Sequence, residues 1–238
     1  MTRSDNKARE QRILDAAAQL FVRYGYDKTP VSDIAHEAGV SQGAIYLHFE
    51  SKDALFEALL MREMAAFAED WLDHLDADPK GGTIGGMYKS MLYALNRSPF
   101  MSAMFKQDRR VFGNYLRKPG NFFQRSQEGP DRPGRYAFVK LMQEAGAVRR
   151  DLDPKIIAHI MNMLAYGLVA MDEIMPQDAI PPIDELIEGI AYLMDRALTP
   201  EGPVDQNIGK TIVHQIAGAA RQQFGLTADP EEGQGEKP

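Results

Sequence analysis

Residues 34–55 read IAHEAGVSQGAIYLHFESKDAL, and the spacing of glycine, serine and apolar residues implies three helices separated by tight turns. Val31, Ile34, Ala35 and Ala38 share one side of a short helix that Gly39 ends. Ser41 then offers a side-chain oxygen to the orphan amides of a new first turn, so a second short helix runs to about Phe49. Ser51 does the same for a long helix over 52–75, with apolar positions Leu55, Leu59, Leu60, Met64, Phe67, Ala68 and Trp71. Two short helices joined by one glycine turn are the arrangement that lays the second into a DNA major groove.

Upstream, Ile13, Leu14, Ala17, Ala18, Phe21 and Tyr24 share a helical face and Gly25 supplies a stop, which predicts a helix over 13–24. Following it, Ile34, Ala35, Ala38, Gly39, Val40, Ser41, Ile45, Tyr46, His48, Phe49, Lys52 and Leu55 stand in a specific order and spacing. Over about residues 10–60 the chain thereby resembles the DNA-binding domain of the TetR family of regulators. The resemblance implies an all-α fold: an N-terminal three-helix helix-turn-helix domain followed by a larger helical domain for ligand binding and dimerisation. It further implies a homodimeric repressor on palindromic double-stranded operator DNA, released when a small molecule binds the second domain. Downstream, the chain resembles the family only in being helical and of suitable length.

On the second helix of the motif, Ile45 and Phe49 point inward and leave Gln42, Gly43, Ala44, Tyr46 and His48 on or near the exposed end. Gln42 suits a bidentate pair with adenine, Ala44 suits a thymine methyl group, and Gly43 lets the backbone approach closely. By resemblance Tyr46, His48 and Lys52 bind phosphate; Ser41 joins the contact set, as does Thr29 or Ser32 with a hydroxyl at a helix start. Arg3, Lys7, Arg9 and Arg12 form either a mobile arm on DNA or a solvated charged leader.

These features divide the chain into a DNA-binding domain with its arm at 1–52, a regulatory domain at 53–226 and a tail at 227–238. The Asp- and Gly-rich stretch 76–86 reads as a loop, followed by helices over 87–96 and 99–117. Residues 117–133, broken by Pro119, Gly120, Gly129, Pro130 and Pro133, read as a long loop in which Phe122 and Phe123 are anomalous for a solvated segment. Further helices are expected over 135–145, from Asp153-Pro154 to about Met175, from Pro181-Pro182 through Leu198, and over 204–224, with a disordered charged tail after them.

Ten of the thirteen methionines lie between Met87 and Met194, a composition that suits an adaptable apolar pocket or a plain helical core. Trp71, Met87, Met91, Met104, Phe105, Phe112, His159, Asn162, Met163 and Tyr166 are the pocket candidates, the last four on a helix that lines the pocket by resemblance. That helix and the following one supply the candidates for a four-helix dimer interface: Ile160, Leu164, Leu168, Leu186, Ile190, Leu193 and Met194.

The formal net charge is −7, yet residues 1–52 hold seven Lys/Arg against seven Asp/Glu, so the acidic excess lies downstream and repels phosphate there. With no cysteine there is no disulfide or thiolate chemistry. The five histidines, His36, His48, His74, His159 and His214, lack metal-ligand spacing, and no phosphate-binding glycine loop or nucleophile elbow occurs. Neither a metal, a cofactor nor an enzymatic activity is expected. The polar leader and the absence of a long apolar run point to no membrane partner and to the cytoplasm. Two rival readings remain: control by a protein partner docking on the last helix, and a helical ligand-binding protein whose DNA-binding domain is vestigial.

Overall fold

The computed structural model describes residues 3–125, 135–202 and 205–223. These form twelve α-helices and no strand: α1 (Arg3–Tyr24), α2 (Val31–Glu37), α3 (Gln42–His48), α4 (Lys52–Ala77), α5 (Ile84–Arg97), α6 (Pro99–Lys106), α7 (Arg109–Phe112), α8 (Phe122–Arg125), α9 (Arg135–Glu144), α10 (Pro154–Ala170), α11 (Ile183–Leu198) and α12 (Gln206–Gln223). The expected tail at 227–238, the ends of the last helix at Val204 and Phe224, and the breakers Gly129, Pro130 and Pro133 lie outside the described residues.

Side-chain caps explain where most of these helices begin. Ser41 Oγ accepts the Ala44 amide at 3.1 Å, Ser51 Oγ the Ala54 amide at 3.1 Å, and Asp153 Oδ1 the Lys155 amide at 2.8 Å. Thr83 caps α5 by accepting from the Gly86 amide at 3.0 Å, so α5 starts at Ile84, inside the stretch whose Gly and Asp content suggested a loop. Asp195 on α11 fixes that start by accepting from the Gly85 amide at 2.7 Å, a contact no local pattern discloses.

Three boundaries depart from expectation. α1 begins at Arg3, so Lys7, Arg9 and Arg12 ride on a helix instead of a mobile arm. The single helix anticipated over 99–117 breaks at Gln107, whose φ of 50° is left-handed, and again at Gly113, φ 48°, giving α6, α7 and a 3-10 turn at Gly113–Arg117. α10 ends at Ala170 in a 3-10 turn, Met171–Glu173, short of Met175.

Two apolar cores result. In the larger, α5 packs between α4 and α11, α9 lies on α10, and α12 closes over α4, α5 and α9 with Ile212, Val213 and Ala217 buried. The other joins Ile13, Leu14, Ala17 and Phe21 of α1 to Ile34, Ile45, Phe49, Leu55 and Phe56, and continues into Phe100, Ala103, Val111, Phe112, Tyr115 and Phe122. The N-terminal helices are therefore not closed by residues 1–52; α6, α7, the 3-10 turn and α8 complete their core. This explains the Phe122-Phe123 pair, whose rings stand 5.6 Å apart, with Phe123 also 5.3 Å from Phe112.

Phe56 is the centre of this core. Its ring meets those of Tyr115 at 4.7 Å, Phe21 at 5.0 Å, Tyr26 at 5.0 Å, Phe112 at 5.6 Å and Phe100 at 6.1 Å. Phe56→Ala is expected to cost about 3–5 kcal/mol in urea unfolding, the range for emptying a closed aromatic site; a loss within the range of a surface change would contradict this packing.

Candidate nucleic-acid interface

The turn between α2 and α3 is built by the backbone. The Ala38 and Val40 amides return to the carbonyls of Ile34 and Ala35, both at 2.9 Å, and Gly39 takes φ 63°. A left-handed residue is required there, which is the physical reason for glycine. α3 is anchored by Ile45, completely enclosed, and by Phe49 just past its end.

That anchoring decides what α3 presents. Gln42, Gly43, Tyr46 and Leu47 are exposed, Tyr46 at 49% and Leu47 at 85%, while Ala44 and His48 are half-buried. Leu47 was missed by the sequence reading, although an apolar residue between the inward positions 45 and 49 was a usable signal. Ser41 Oγ caps α3 yet keeps its own hydrogen to donate. Ser32 is exposed, its hydroxyl donating to Asp33 at 3.2 Å.

Two of the expected phosphate contacts are turned inward. Thr29 is buried and its hydroxyl donates to the Gly25 carbonyl at 2.8 Å; the N-cap of α2 is Pro30, which provides no side-chain cap. Lys52 Nζ donates to the Tyr26 carbonyl and lies 4.2 Å from the Tyr26 ring centroid. Burial lowers the pKa of this ammonium, while Asp27 opposes the shift. As the chain folds, Lys52 secures the 25–29 loop.

That loop is the junction between the helix-turn-helix and the rest of the molecule. The Tyr26 amide donates to the Val111 carbonyl at 2.7 Å, and Asp27 accepts from the Asn114 amide at 3.0 Å. Lys118 Nζ donates to the Asp53 carboxylate at 2.5 and 2.6 Å and to the Tyr26 hydroxyl at 3.2 Å, and that hydroxyl donates to Asp53 in turn. Burial and the Asp53 bond push Tyr26 up to about 12. Burial alone would raise Asp53, but its bonds from Lys118 and Tyr26 outweigh it and hold the carboxyl below its ordinary value. A Cβ on Gly113 would meet the Asp27 carboxylate at 2.2 Å, and one on Gly25 the Arg110 carbonyl at 2.1 Å, so the surfaces meet only through glycine.

The regulatory residues scatter more than expected. Met87 and Met91 are buried and Trp71, Met104 and Phe105 half-buried in the larger core, with Trp71 Nε1 donating to the Met87 carbonyl at 3.2 Å. Phe112 belongs to the other core. His159, Asn162, Met163 and Tyr166 are exposed, because α10 turns Ile157, Ala158, Met161, Ala165 and Val169 inward and these four to the opposite side. Surface hollows of about 380 and 440 Å³, one at Tyr136, Lys140 and Arg150 and one at Asp27, Gln107 and Arg117, are lined by none of the ten pocket candidates. Of the interface candidates, Ile160 and Leu193 are exposed and Leu164, Leu168, Leu186 and Ile190 half-buried, but Met194 faces its own core and is excluded.

Residues 13–59 match the model of the bacterial regulatory proteins of the tetR family. The HTH-type transcriptional repressor Rv1474c of Mycobacterium tuberculosis is 30% identical over 171 residues, covering 68% of this chain and 81% of the relative. The chain belongs to the tetR family. The A-factor receptor protein of Streptomyces griseus is 46% identical over 166 residues, covering 68% of this chain and 54% of its own length. In fold, FadR of Bacillus subtilis, solved in complex with stearoyl-CoA, superposes with a TM-score of 0.56 at 19% identity, covering 78% of this chain and 97% of that one. As a tetR-family member the protein is a DNA-binding transcription regulator of the helix-turn-helix class and not an enzyme. Among the described residues no helix is long and apolar enough to cross a membrane.

Lys118→Met removes the cation that ties Asp53 to Tyr26 while keeping about its length. Amide hydrogen exchange at Tyr26 and Asn114 is expected to accelerate, with α5 and α11 unchanged. Because Asp53 titrates below its ordinary value, its contribution is complete above the usual carboxylate range and is lost as pH falls through the folded value. The wild type should therefore approach the variant only in acid; equal exchange at neutral pH would rule the junction out.

Proposed function

We propose that the protein is a homodimeric repressor that grips a palindromic operator through α3 and lets go when a small, largely apolar molecule binds among α4, α5, α6 and α10. The observation that carries this reading is α3 itself: capped by Ser41, pinned by Ile45, and holding Gln42, Gly43, Tyr46 and Leu47 out to solvent. Gln42 reads adenine, Leu47 rests on a thymine methyl group, and Tyr46, His48, Ser41 and Ser32 fix register on phosphates. An unshielded leucine on a short helix gains nothing in water, and a major groove covers it.

Dimerisation is supported by the apolar side chains that one chain leaves open: Ile156, Ile160 and Met163 along one side of α10, and Leu193 on α11, 65% exposed, with Leu186 and Ile190 on the same side of that helix. Two copies packed there form a four-helix bundle and set two α3 helices about 34–36 Å apart, one turn of DNA. Domains at 1–52 and 53–226 remain a workable functional division, with α4 as the lever between them. A near-complete release requires the ligand to favour the released spacing by roughly 5 kcal/mol. The methionine-rich core around Met87, Met91 and Met104 suits such a ligand because thioether chains repack at little cost.

Selection from random duplex DNA, followed by anisotropy over a salt series, is the direct test. An inverted repeat bound with steep salt dependence is expected; no enriched sequence would overturn operator binding. On the selected site Gln42→Ala and Leu47→Ala should each lose about 1–3 kcal/mol and relax preference at one base pair. Uniform weakening on all sequences would remove them from base recognition. Leu193→Asp is expected to yield monomers in sedimentation and to abolish tight operator binding while α3 stays folded; a dimer that persists would place the interface elsewhere.

A further inference from the structure

Arg135 opens α9, yet its guanidinium turns into the regulatory core. Nη1 donates to Asn162 Oδ1 on α10 at 2.6 Å, and Nη2 lies 4.0 Å from the Met91 sulfur on α5. Cζ is 5.6 Å from the ring centroid of Tyr88 and 5.7 Å from that of Phe105 on α6. Among the described residues no carboxylate pairs with it. Arg62, Arg110, Arg125 and Arg149 each have one, in Asp15, Asp108, Glu57 and Asp151. Burial lowers the guanidinium's pKa from its ordinary value, Tyr88 opposes the shift, and no carboxylate among the described residues adds to that opposition. The rings of Tyr88 and Phe105 return part of the cost of burial. Three residues nominated for a pocket, Met91, Phe105 and Asn162, thus surround a cation that was not nominated.

We infer that Arg135 is the group that reads the effector, and that the effector is an apolar molecule carrying one carboxylate. This rests on the ligand-responsive reading above and names the ligand class it lacks. The Asn162 bond lies at the exposed edge of the site, so a carboxylate arriving there replaces a neutral acceptor with a charged, bidentate one. The apolar body then lies along Met91, Met104 and Phe105. A carboxylate matches the site better than a phosphate: one guanidinium neutralises one charge, and a dianion would leave the second charge against apolar walls. Lys106, the next cation along α6, is already paired with Glu173 at 2.6 Å. α6 also carries Phe100 into the ring cluster around Phe56, so a ligand held on Phe105 acts on the helix that completes the DNA-binding core.

The test uses the full-length protein and matched probes: C10 to C16 fatty acids and 2-naphthoate, their alcohols, and the corresponding alkyl phosphates. Binding is followed by Trp71 emission and calorimetry in wild type, Arg135→Gln and Arg135→Met. At least one acid is expected to bind about tenfold or more tighter than its alcohol and tighter than its phosphate. Both variants should erase that preference, and Arg135→Met should unfold at the wild-type temperature or above it, since it removes an unpaired charge. Equal binding of alcohols, tighter binding of phosphates, an acid preference that survives in the variants, or no bound acid would each overturn the inference. So would a melting temperature lowered in Arg135→Met, which would make Arg135 a structural tie. If alcohols bind equally and still release DNA, the ligand-responsive reading stands without this inference. If bound probes leave operator affinity unchanged, that reading fails with it.

Discussion

The packing of Phe56 constrains everything N-terminal to it. Residues 13–49 contribute too few apolar groups to enclose their own core, and the ring that closes it sits on the first turns of α4, surrounded by rings from α1, the 25–29 loop, α6, α7 and the 3-10 turn. Close-packed interiors transmit displacement because they cannot absorb it as fluids do. The helix-turn-helix is consequently not a bead on a string: its orientation is set by whatever positions α6 and the segment 111–118.

Polar contacts reinforce that arrangement at its rim. Lys118, Asp53, Tyr26 and Lys52 form one connected network, Gly25 lets its backbone meet that of Arg110, and Gly113 leaves room for the Asp27 carboxylate. These groups are partly exposed, so each bond contributes modestly; their value is geometric. Met64 and Met104 touch both cores, where their flexible thioethers can repack at little cost. In the proposed mechanism, side chains of α4 and α6 shared by both cores would give the coupling of DNA and ligand a physical path.

The readability of the site follows the range of the interactions that make it. Ser41, Gly39 and Ser51 act within four residues of themselves, so their roles as caps and turn could be read directly and the structure places them accordingly. Lys52 was expected on phosphate by resemblance and Thr29 for its hydroxyl at a helix start, but Gly25 and Tyr26 take up their polar groups once the loop folds back. The same limit applies in the regulatory half. The sequence marked α10 as a helix without saying which side faces its own core, and so His159, Asn162, Met163 and Tyr166 were assigned to the pocket although they point out. Met194 erred in the opposite direction.

Local patterns were enough for the helical class, the helix-turn-helix with its caps and glycine turn, the resemblance to the family, and the acidic excess downstream of residue 52. All of these rest on local spacing or on charge, which need no partner in space. Packing of the whole chain was needed to show that the N-terminal core is completed by Phe100, Phe112, Tyr115 and Phe122, that Lys118 ties Asp53 to Tyr26, and that Arg135 sits among rings with no carboxylate paired to it among the described residues. Those facts join residues 30 or more positions apart, and a side chain's partner at that distance is chosen by packing of the whole chain, which no local pattern encodes.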